Sequence, residues 1–174
     1  MQMYKFVNNK MNEKKVIHHI VKWIESYAIK SETKGFVIGI SGGIDSAVTS
    51  TLASRTGLPV LCVEMPIHQK NNQSIRGDNH IKWLKKKFNN VSSIKIELTN
   101  VFDSFAENLD SLKSVENELS LANMRSRLRM TTLYYYSQIN NYLVIGTGNK
   151  VEDFGIGFFT KYGDGGVDIS PIAD

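Results

Sequence analysis

The sequence predicts an α/β fold in which a doubly wound parallel sheet carries helices on both faces. Four short apolar segments are separated by longer stretches with helical character, and strands joined through helices form parallel sheets by right-handed crossovers. Two of the apolar segments run directly into glycine-rich polar loops, at residues 41–46 and 146–149. Since ligands of such sheets bind at the carboxyl ends of the strands, both loops are predicted to open on the same edge.

The first half of the chain alternates between helical and extended patterns. Apolar residues recur at helical spacing from Val16 to Tyr27, which is typical of an amphipathic helix. A second helix ends near Gly57, and the strand that follows begins with Pro59, at the entry position where a proline is best tolerated. The predicted elements are a helix over residues 13–29, a strand over 36–40, a helix over 45–55 and a strand over 59–64.

The second half continues this alternation. Ile94, Ile96 and Leu98 alternate with other residues, as expected of a strand with one buried face. The predicted elements are a helix over residues 72–88, a strand over 92–98, helices over 101–109 and 115–139, and a strand over 142–145. No repeat, low-complexity tract or linker divides the chain, which predicts a single domain over residues 1–174.

Composition and length exclude several classes of protein. A chain of 174 residues with 41% hydrophobic content suits one globular domain with a core. No segment approaches the ~20 consecutive apolar residues of a membrane helix, and the N-terminus lacks the apolar core of a secretory signal. The single cysteine, Cys62, excludes an internal disulfide and is expected in the core. We therefore expect a cytoplasmic protein without a membrane partner.

The net charge of +4 fits an anionic small-molecule substrate as easily as nucleic acid. The basic run at residues 82–88 looks at first like an RNA-binding patch. On a helix, however, Ile81, Leu84 and Phe88 share one face and the lysines lie on the other. A solvated helix face is the favoured interpretation, and no nucleic-acid partner is predicted. The four histidines match no metal-ligand spacing.

Residues 41–46, Ser-Gly-Gly-Ile-Asp-Ser, are predicted to form an anion-binding turn between a strand and a helix. The glycines let the backbone approach a phosphate closely, and the N–H groups of the first helical turn point towards it. Ser41 and Ser46 add hydroxyl donors. Asp45 adds a carboxylate, which makes sense if a Mg²⁺ ion bridges it to the phosphates. The alternative is a Gly-Ser turn followed by an ordinary helix cap.

This loop differs from the two common nucleotide-binding motifs. A Walker motif requires a lysine beside Ser or Thr, and no lysine follows before Lys70. Gly39, Gly42 and Gly43 lack the G-x-G-x-x-G spacing of dinucleotide-binding folds. The loop instead resembles the PP-loop of the ATP pyrophosphatases, enzymes that split ATP between its α and β phosphates.

A second constellation of polar and aromatic residues begins at Gly146 and extends to Ile169. A surface loop of this length is usually functional or disordered, and its aromatic residues argue against disorder. Its run Phe-Thr-Lys-Tyr-Gly-Asp-Gly-Gly at residues 159–166 resembles a motif of the ammonia-dependent NAD synthetases. So does Asn-Met-Arg-Ser-Arg-Leu-Arg-Met at residues 123–130. With the PP-loop, these motifs follow the order of the first two-thirds of that family.

This resemblance implies amidation of deamido-NAD by ammonia with ATP, through an acyl-adenylate, with release of AMP and pyrophosphate. It implies Mg²⁺ as the cofactor, held by Asp45 and Glu152, and a homodimer with deamido-NAD at the subunit interface. For deamido-NAD it implies Arg127, Lys161 and Asp168. No nucleophilic side chain is implied, because positioning and metal ions carry the chemistry. The residues implied in ATP binding are Gly39, Ile40, Ser41, Gly42, Gly43, Ile44, Asp45, Ser46 and Thr147.

Some of these roles have structural alternatives. Arg125, Arg127 and Arg129 fan out around a helix, so we expect only one or two of them to face a ligand. Glu152 on its own would also suit the first turn of a short helix, where a carboxylate interacts favourably with the dipole.

The family normally continues beyond residue 174, so the resemblance predicts a domain that is incomplete at its C-terminus. A non-catalytic nucleotide-binding remnant is therefore one alternative function. Another is a different AMP-forming PP-loop ligase, such as a tRNA thiolase or lysidine synthetase, although those classes carry an RNA-binding domain or catalytic cysteines. No glutaminase domain precedes the PP-loop, so ammonia itself is the expected nitrogen source.

Overall fold

The computed structural model describes residues 12–69, 71–109, 115–151, 155 and 157–173. Within them, every predicted helix and strand is confirmed. The helices are α1 (Glu13–Lys30), α2 (Ile44–Ser54), α3 (Asn71–Lys87), α4 (Thr99–Glu107) and α5 (Val115–Asn140). The strands are β1 (Gly35–Gly39), β2 (Val60–Glu64), β3 (Val91–Lys95) and β4 (Tyr142–Ile145).

The third strand, β3, is shorter than predicted, because its regular ladder ends at Lys95 rather than at Leu98. Backbone bonds to the neighbouring segment nevertheless continue. Ile96 donates its N–H to the Glu64 carbonyl at 2.8 Å, and Leu98 donates to the Pro66 carbonyl at 3.1 Å. Leu98 is also the N-cap of α4. The alternating pattern in the sequence therefore corresponds to a strand that runs directly into a helix.

The four described strands form one parallel sheet in the order β3-β2-β1-β4. The register places Ile38 of β1 opposite Cys62 of β2 and opposite Ile145 of β4. The chain adds strands on one side of β1 and then returns to its other side with β4. This reversal of strand order lies between β1 and β4, which is where open parallel sheets bind their ligands.

Each face of the sheet is covered by its own helices. Phe36 and Ile38 of β1 face the core formed with α1, α2 and α3, whereas Val37 faces the core formed with α4 and α5. Burial on both faces explains why β1, β2 and β4 are almost continuously apolar and confirms the predicted α/β class. Cys62 is fully buried, and burial raises the pKa of its thiol to about 12. In the described part of the chain, no helix has both the length and the apolar character that a membrane crossing requires.

Candidate nucleotide-binding site

The loop at residues 41–46 leaves the carboxyl end of β1 and leads into α2. Ile40 still donates its N–H to the Val63 carbonyl at 2.9 Å, so the loop begins where the ladder ends. Gly42 has a φ of +79°, a left-handed conformation that favours glycine. Gly43 is the N-cap of α2 and has no side chain to occupy the first N–H groups of the helix. The helix therefore starts with an open N-terminus, the arrangement that suits an anion.

The two serines of this loop bond to the loop itself. The Ser46 hydroxyl donates to the Gly43 carbonyl at 2.9 Å. The Ser41 hydroxyl donates to the Ser46 hydroxyl oxygen at 3.2 Å. The Gly43 N–H in turn donates to the Ser41 hydroxyl at 3.2 Å. Ser46 is buried and Ser41 is exposed. The buried hydroxyl thus fixes the turn, and the Ser41 hydroxyl is the more exposed of the two.

The loop after β4 lies beside the loop after β1, as the sequence predicts. The side-chain amide of Asn149 donates to Asp45 Oδ2 at 3.3 Å. The Asn149 Oδ1 atom accepts the Val151 N–H at 3.0 Å, which sets the orientation of the amide. Thr147 is half-buried in the same loop. The residues predicted to bind ATP therefore converge on one edge of the sheet from two strands.

The acidic residue of the loop, Asp45, is half-buried in the first turn of α2. Its carboxylate is a hard oxygen ligand of the kind that Mg²⁺ prefers. Glu152, the second predicted metal ligand, lies outside the described residues. Among the residues that are described, no group of three or more His, Cys, Asp or Glu side chains is arranged to hold a metal ion. The donor chemistry of Asp45 fits the predicted metal.

The three arginines of α5 have three different environments. The Arg125 guanidinium lies 5.1 Å from the centroid of the Phe102 ring. Arg129 Nε donates, at a distance of 3.0 Å, to the backbone carbonyl of the residue just after β2. Burial, followed by the charge of Arg125, lowers the pKa of Arg129. Arg127 is exposed, and its Nε donates to the Lys161 carbonyl at 3.3 Å. Of the three, Arg127 is the most exposed to solvent.

The segment at residues 160–166 is docked on α5 by side-chain hydrogen bonds. The Ser126 hydroxyl donates to Asp164 Oδ1, and the Asp164 N–H donates back to the Ser126 hydroxyl, both at 2.7 Å. Thr160 donates its N–H to the same carboxylate oxygen at 3.0 Å and its hydroxyl to Asn123 Oδ1 at 2.7 Å. Asn123 and Ser126 lie one turn apart and so share a helix face. Sequence reasoning missed these docking residues, although their spacing on α5 was a usable signal.

The docked segment places Lys161 beside Arg127. Lys161 is exposed, and its ammonium lies 5.0 Å from the centroid of the Tyr162 ring. Tyr162 has a φ of +60° and is 65% exposed, so the tip of the segment projects into solvent. Two exposed cationic residues, joined through the Lys161 carbonyl, and an exposed aromatic ring suit a ligand that carries phosphate and a planar ring.

Asp168, the third residue predicted to bind deamido-NAD, has protein partners at both carboxylate oxygens. Oδ2 accepts the Val144 N–H at 2.8 Å, and Oδ1 accepts the Tyr134 hydroxyl at 3.0 Å. Burial, followed by the hydrogen bond and the charge of Asp168, raises the pKa of Tyr134 to about 12. The next residue, Ile169, forms a parallel bridge with Ile145 of β4. Asp168 thus holds this stretch of chain against β4.

Comparison with known proteins identifies the family. The model of the NAD synthase family matches residues 16–174. The chain belongs to this family. The NH(3)-dependent NAD(+) synthetase of Mesoplasma florum is 40% identical over 166 residues, which cover 93% of this chain and 64% of the relative. That of Saccharolobus solfataricus is 40% identical over 159 residues, which cover 91% and 55%.

Solved structures show the same fold. NMN synthetase from Francisella tularensis has a TM-score of 0.83 and 33% identity, covering 94% of this chain and 66% of the other. The NH3-dependent NAD synthetase from Campylobacter jejuni in complex with the nitrate ion has a TM-score of 0.83 and 32% identity, covering 94% and 68%. The chain therefore has the α/β fold of NAD synthetases, and it spans only part of the length of these relatives.

Within this NAD synthase fold, α3 packs directly against the PP-loop, a contact that the sequence analysis missed. Gln69, just before α3, donates its side-chain amide to the Ser41 carbonyl at 3.0 Å, and Arg76 Nε donates to the Gly42 carbonyl at 3.1 Å. A Cβ at Gly77 would lie 3.8 Å from Gly42 N, which shows how closely the helix passes. An isolated glycine inside a helical pattern often marks such a close approach, so Gly77 was the available signal.

A buried acidic group lies under the same helix. Glu64, at the end of β2, is 8% exposed, and its Oε1 would lie 3.2 Å from a Cβ at Gly77. Burial, followed by the hydrogen bond and the charge of Asp78, raises the pKa of Glu64, and Lys95 opposes this effect. Lys95 Nζ lies 3.6 Å from Asp78 Oδ2.

Proposed function

We propose that this chain catalyses the ATP-dependent amidation of deamido-NAD by ammonia, with formation of NAD, AMP and pyrophosphate. The observation that carries the proposal is the meeting of two loops at the switch point of the sheet, where Asn149 contacts Asp45. One loop offers an open helix N-terminus, and the other carries the predicted ATP contact Thr147. The names of the relatives support the substrate.

The chemistry explains why a PP-loop is needed. A carboxylate does not react with ammonia at neutral pH, because the leaving group would be oxide or hydroxide and both are poor leaving groups. The nicotinate carboxylate attacks the α-phosphate of ATP, so that the bond to pyrophosphate breaks and an acyl-adenylate forms. Ammonia then attacks the acyl carbon, AMP leaves, and the proton released from nitrogen passes to solvent. The protein's contribution is positioning and neutralisation of charge.

The proposed ATP site consists of the PP-loop and Thr147. The N–H groups at the start of α2 and the exposed Ser41 hydroxyl face the anion. Asp45, together with Glu152, would hold Mg²⁺, which offsets the charge that develops on departing pyrophosphate. The full proposed set is Gly39, Ile40, Ser41, Gly42, Gly43, Ile44, Asp45, Ser46 and Thr147.

The proposed deamido-NAD site lies along α5 and the segment docked on it. Arg127 offers a planar guanidinium to phosphate, and Lys161 offers a point charge. Asp168 is the third proposed contact, and since both its oxygens already accept protein hydrogen bonds, it would bind through remaining lone pairs. A cytoplasmic homodimer is part of the same proposal.

The direct test is to incubate the purified chain with MgATP, ammonium chloride and deamido-NAD, and to quantify AMP, pyrophosphate and NAD. Nicotinate mononucleotide replaces deamido-NAD in a parallel reaction, because one structural neighbour is an NMN synthetase. We expect NAD and AMP in equal amounts. AMP without an amidated product would favour another AMP-forming ligase, and ATP binding without AMP would favour a non-catalytic remnant.

Two variants separate the proposed half-sites. Asp45→Ala should abolish pyrophosphate release with an unchanged unfolding midpoint, and normal activity would refute the metal assignment. Arg127→Ala should raise the KM for deamido-NAD about ten-fold or more, as expected for one lost charged contact, with the KM for ATP little changed. A defect confined to ATP would contradict the role given to Arg127.

A further inference from the structure

We propose that Arg76 is a positioning residue for the phosphate site, because it fixes the peptide group between Gly42 and Gly43. This inference rests on the proposed ATP function of the PP-loop. Arg76 lies in α3, 34 positions after Gly42, and its Nε donates to the Gly42 carbonyl at 3.1 Å. Arg76 itself is exposed, so the contact lies at the rim of the loop.

The geometry of a peptide group gives this contact its consequence. In a trans peptide the C=O and the N–H point in opposite directions. A Gly42 carbonyl that is held towards α3 therefore turns the Gly43 N–H away from α3. That N–H donates to the exposed Ser41 hydroxyl at 3.2 Å, and Gly43 is the N-cap of α2. Arg76 thus aims one of the N–H groups that would meet a phosphate.

Glycine at position 42 makes such a restraint necessary. Its φ is +79°, and glycine adopts this and several other backbone conformations with similar ease. The peptide group that follows Gly42 can therefore rotate unless it is held. The guanidinium also brings a positive charge to a loop that has no lysine of its own. Phosphate loops of the Walker type obtain that charge from their lysine.

The helix that carries Arg76 is itself fixed to the same loop and to α2. A Cβ on Gly42 would overlap the Gln73 carbonyl, one turn before Arg76. One turn after it, the His80 Nε2 lies 2.8 Å from the Ser50 hydroxyl, which donates to the Ser46 carbonyl at 2.7 Å. Gln73, Arg76 and His80 share one face of α3, so the guanidinium is presented from a rigid support.

The test compares Arg76→Met, which keeps the aliphatic stem without the donors, with Arg76→Lys and with the control Arg55→Met. Arg55 is an exposed arginine at the C-cap of α2, at the opposite end of that helix, and its replacement removes the same charge. Calorimetry with MgATP, pyrophosphate and adenosine measures binding. We expect about ten-fold weaker binding of both phosphate ligands in Arg76→Met, as for one charge-assisted hydrogen bond, with unchanged adenosine binding and with Arg55→Met like the wild type.

An NMR measurement without ligand reports on the peptide group directly. The Gly43 amide resonance should shift, and its hydrogen exchange should accelerate, in Arg76→Met but not in Arg55→Met. The inference is overturned if Arg76→Met binds the phosphate ligands as tightly as the Arg55→Met control. It is also overturned if Arg76→Lys restores full phosphate binding without restoring the Gly43 resonance, because the positive charge alone would then suffice. A wild-type chain that binds neither MgATP nor pyrophosphate would overturn the proposed function as well, whereas an unshifted Gly43 resonance overturns this inference alone.

Discussion

The PP-loop and the segment at residues 160–168 are held in place by different kinds of contact. The turn of the PP-loop is shaped by bonds among residues no more than five positions apart, such as those of Ser41 and Ser46. The other segment is fixed by side chains 34 to 38 positions away, including Ser126 on Asp164. The first region forms its turn from its own residues, and Gln69 and Arg76 then hold it from 28 and 34 positions away, whereas the second region acquires its shape by docking on α5.

The largest effect is expected from Gly42→Ala, which adds a side chain at the point where the PP-loop packs most closely against α3. Gly42 has a φ of +79°, and an added Cβ would overlap the Gln73 carbonyl of α3. Strain and overlap together should lower the free energy of unfolding by more than about 2 kcal/mol. Denaturant unfolding measures this loss, and MgATP binding should disappear in the same variant.

Gly57→Ala is the matched control for this substitution. Gly57 has almost the same φ, +81°, but its added Cβ meets no atom of the described residues within 4 Å. Only the backbone strain of about 1 kcal/mol should appear. Equal losses in the two alanine variants would mean that α3 does not constrain the PP-loop.

A smaller effect is expected from Ser126→Ala, which releases the docked segment. The variant leaves the Asp164 N–H and carboxylate without the Ser126 hydroxyl, at a cost of about 1–2 kcal/mol. Hydrogen exchange at residues 160–166 should accelerate, while amides of the PP-loop keep their rates. Thr131→Ala removes a hydroxyl that bonds the Arg127 carbonyl on the exposed side of the same helix and should leave both regions unchanged. Accelerated exchange in the PP-loop would show that the two regions are coupled.

The same contrast explains how much the sequence could predict. The α/β class and the element order follow from hydrophobic patterns, and the turn at residues 41–46 follows from its glycines, because these are local properties. The contact between Arg76 and Gly42 depends on how α3 crosses the sheet edge, and Gly77 signals only that some close approach exists, not which residues meet there. The environments of Arg125, Arg127 and Arg129 likewise follow from tertiary packing. The helix period only points the three side chains in different directions and does not say which direction is exposed. Asp168 was predicted as a ligand contact by resemblance, and only the fold shows its bonds to Val144 and Tyr134.

The smallest effect is expected from Tyr134→Phe, which removes one hydrogen bond to Asp168 and also removes the pH sensitivity that this phenol gives to the docked region. Below pH 10 the variant should be less stable than the wild type by about 1 kcal/mol. The pKa of Tyr134 is raised to about 12 in the folded chain, from an ordinary value of 10. Between these values the unfolded chain loses the phenol proton while the folded chain keeps it, so wild-type stability falls as the pH rises. Phenylalanine has no such proton, and the stability difference should therefore shrink from pH 10 to 12.

Chemical denaturation at several pH values measures this stability difference, with Tyr135→Phe, on the exposed side of α5, as the control. A difference that stays constant across this window would mean that the phenol and Asp168 are not coupled.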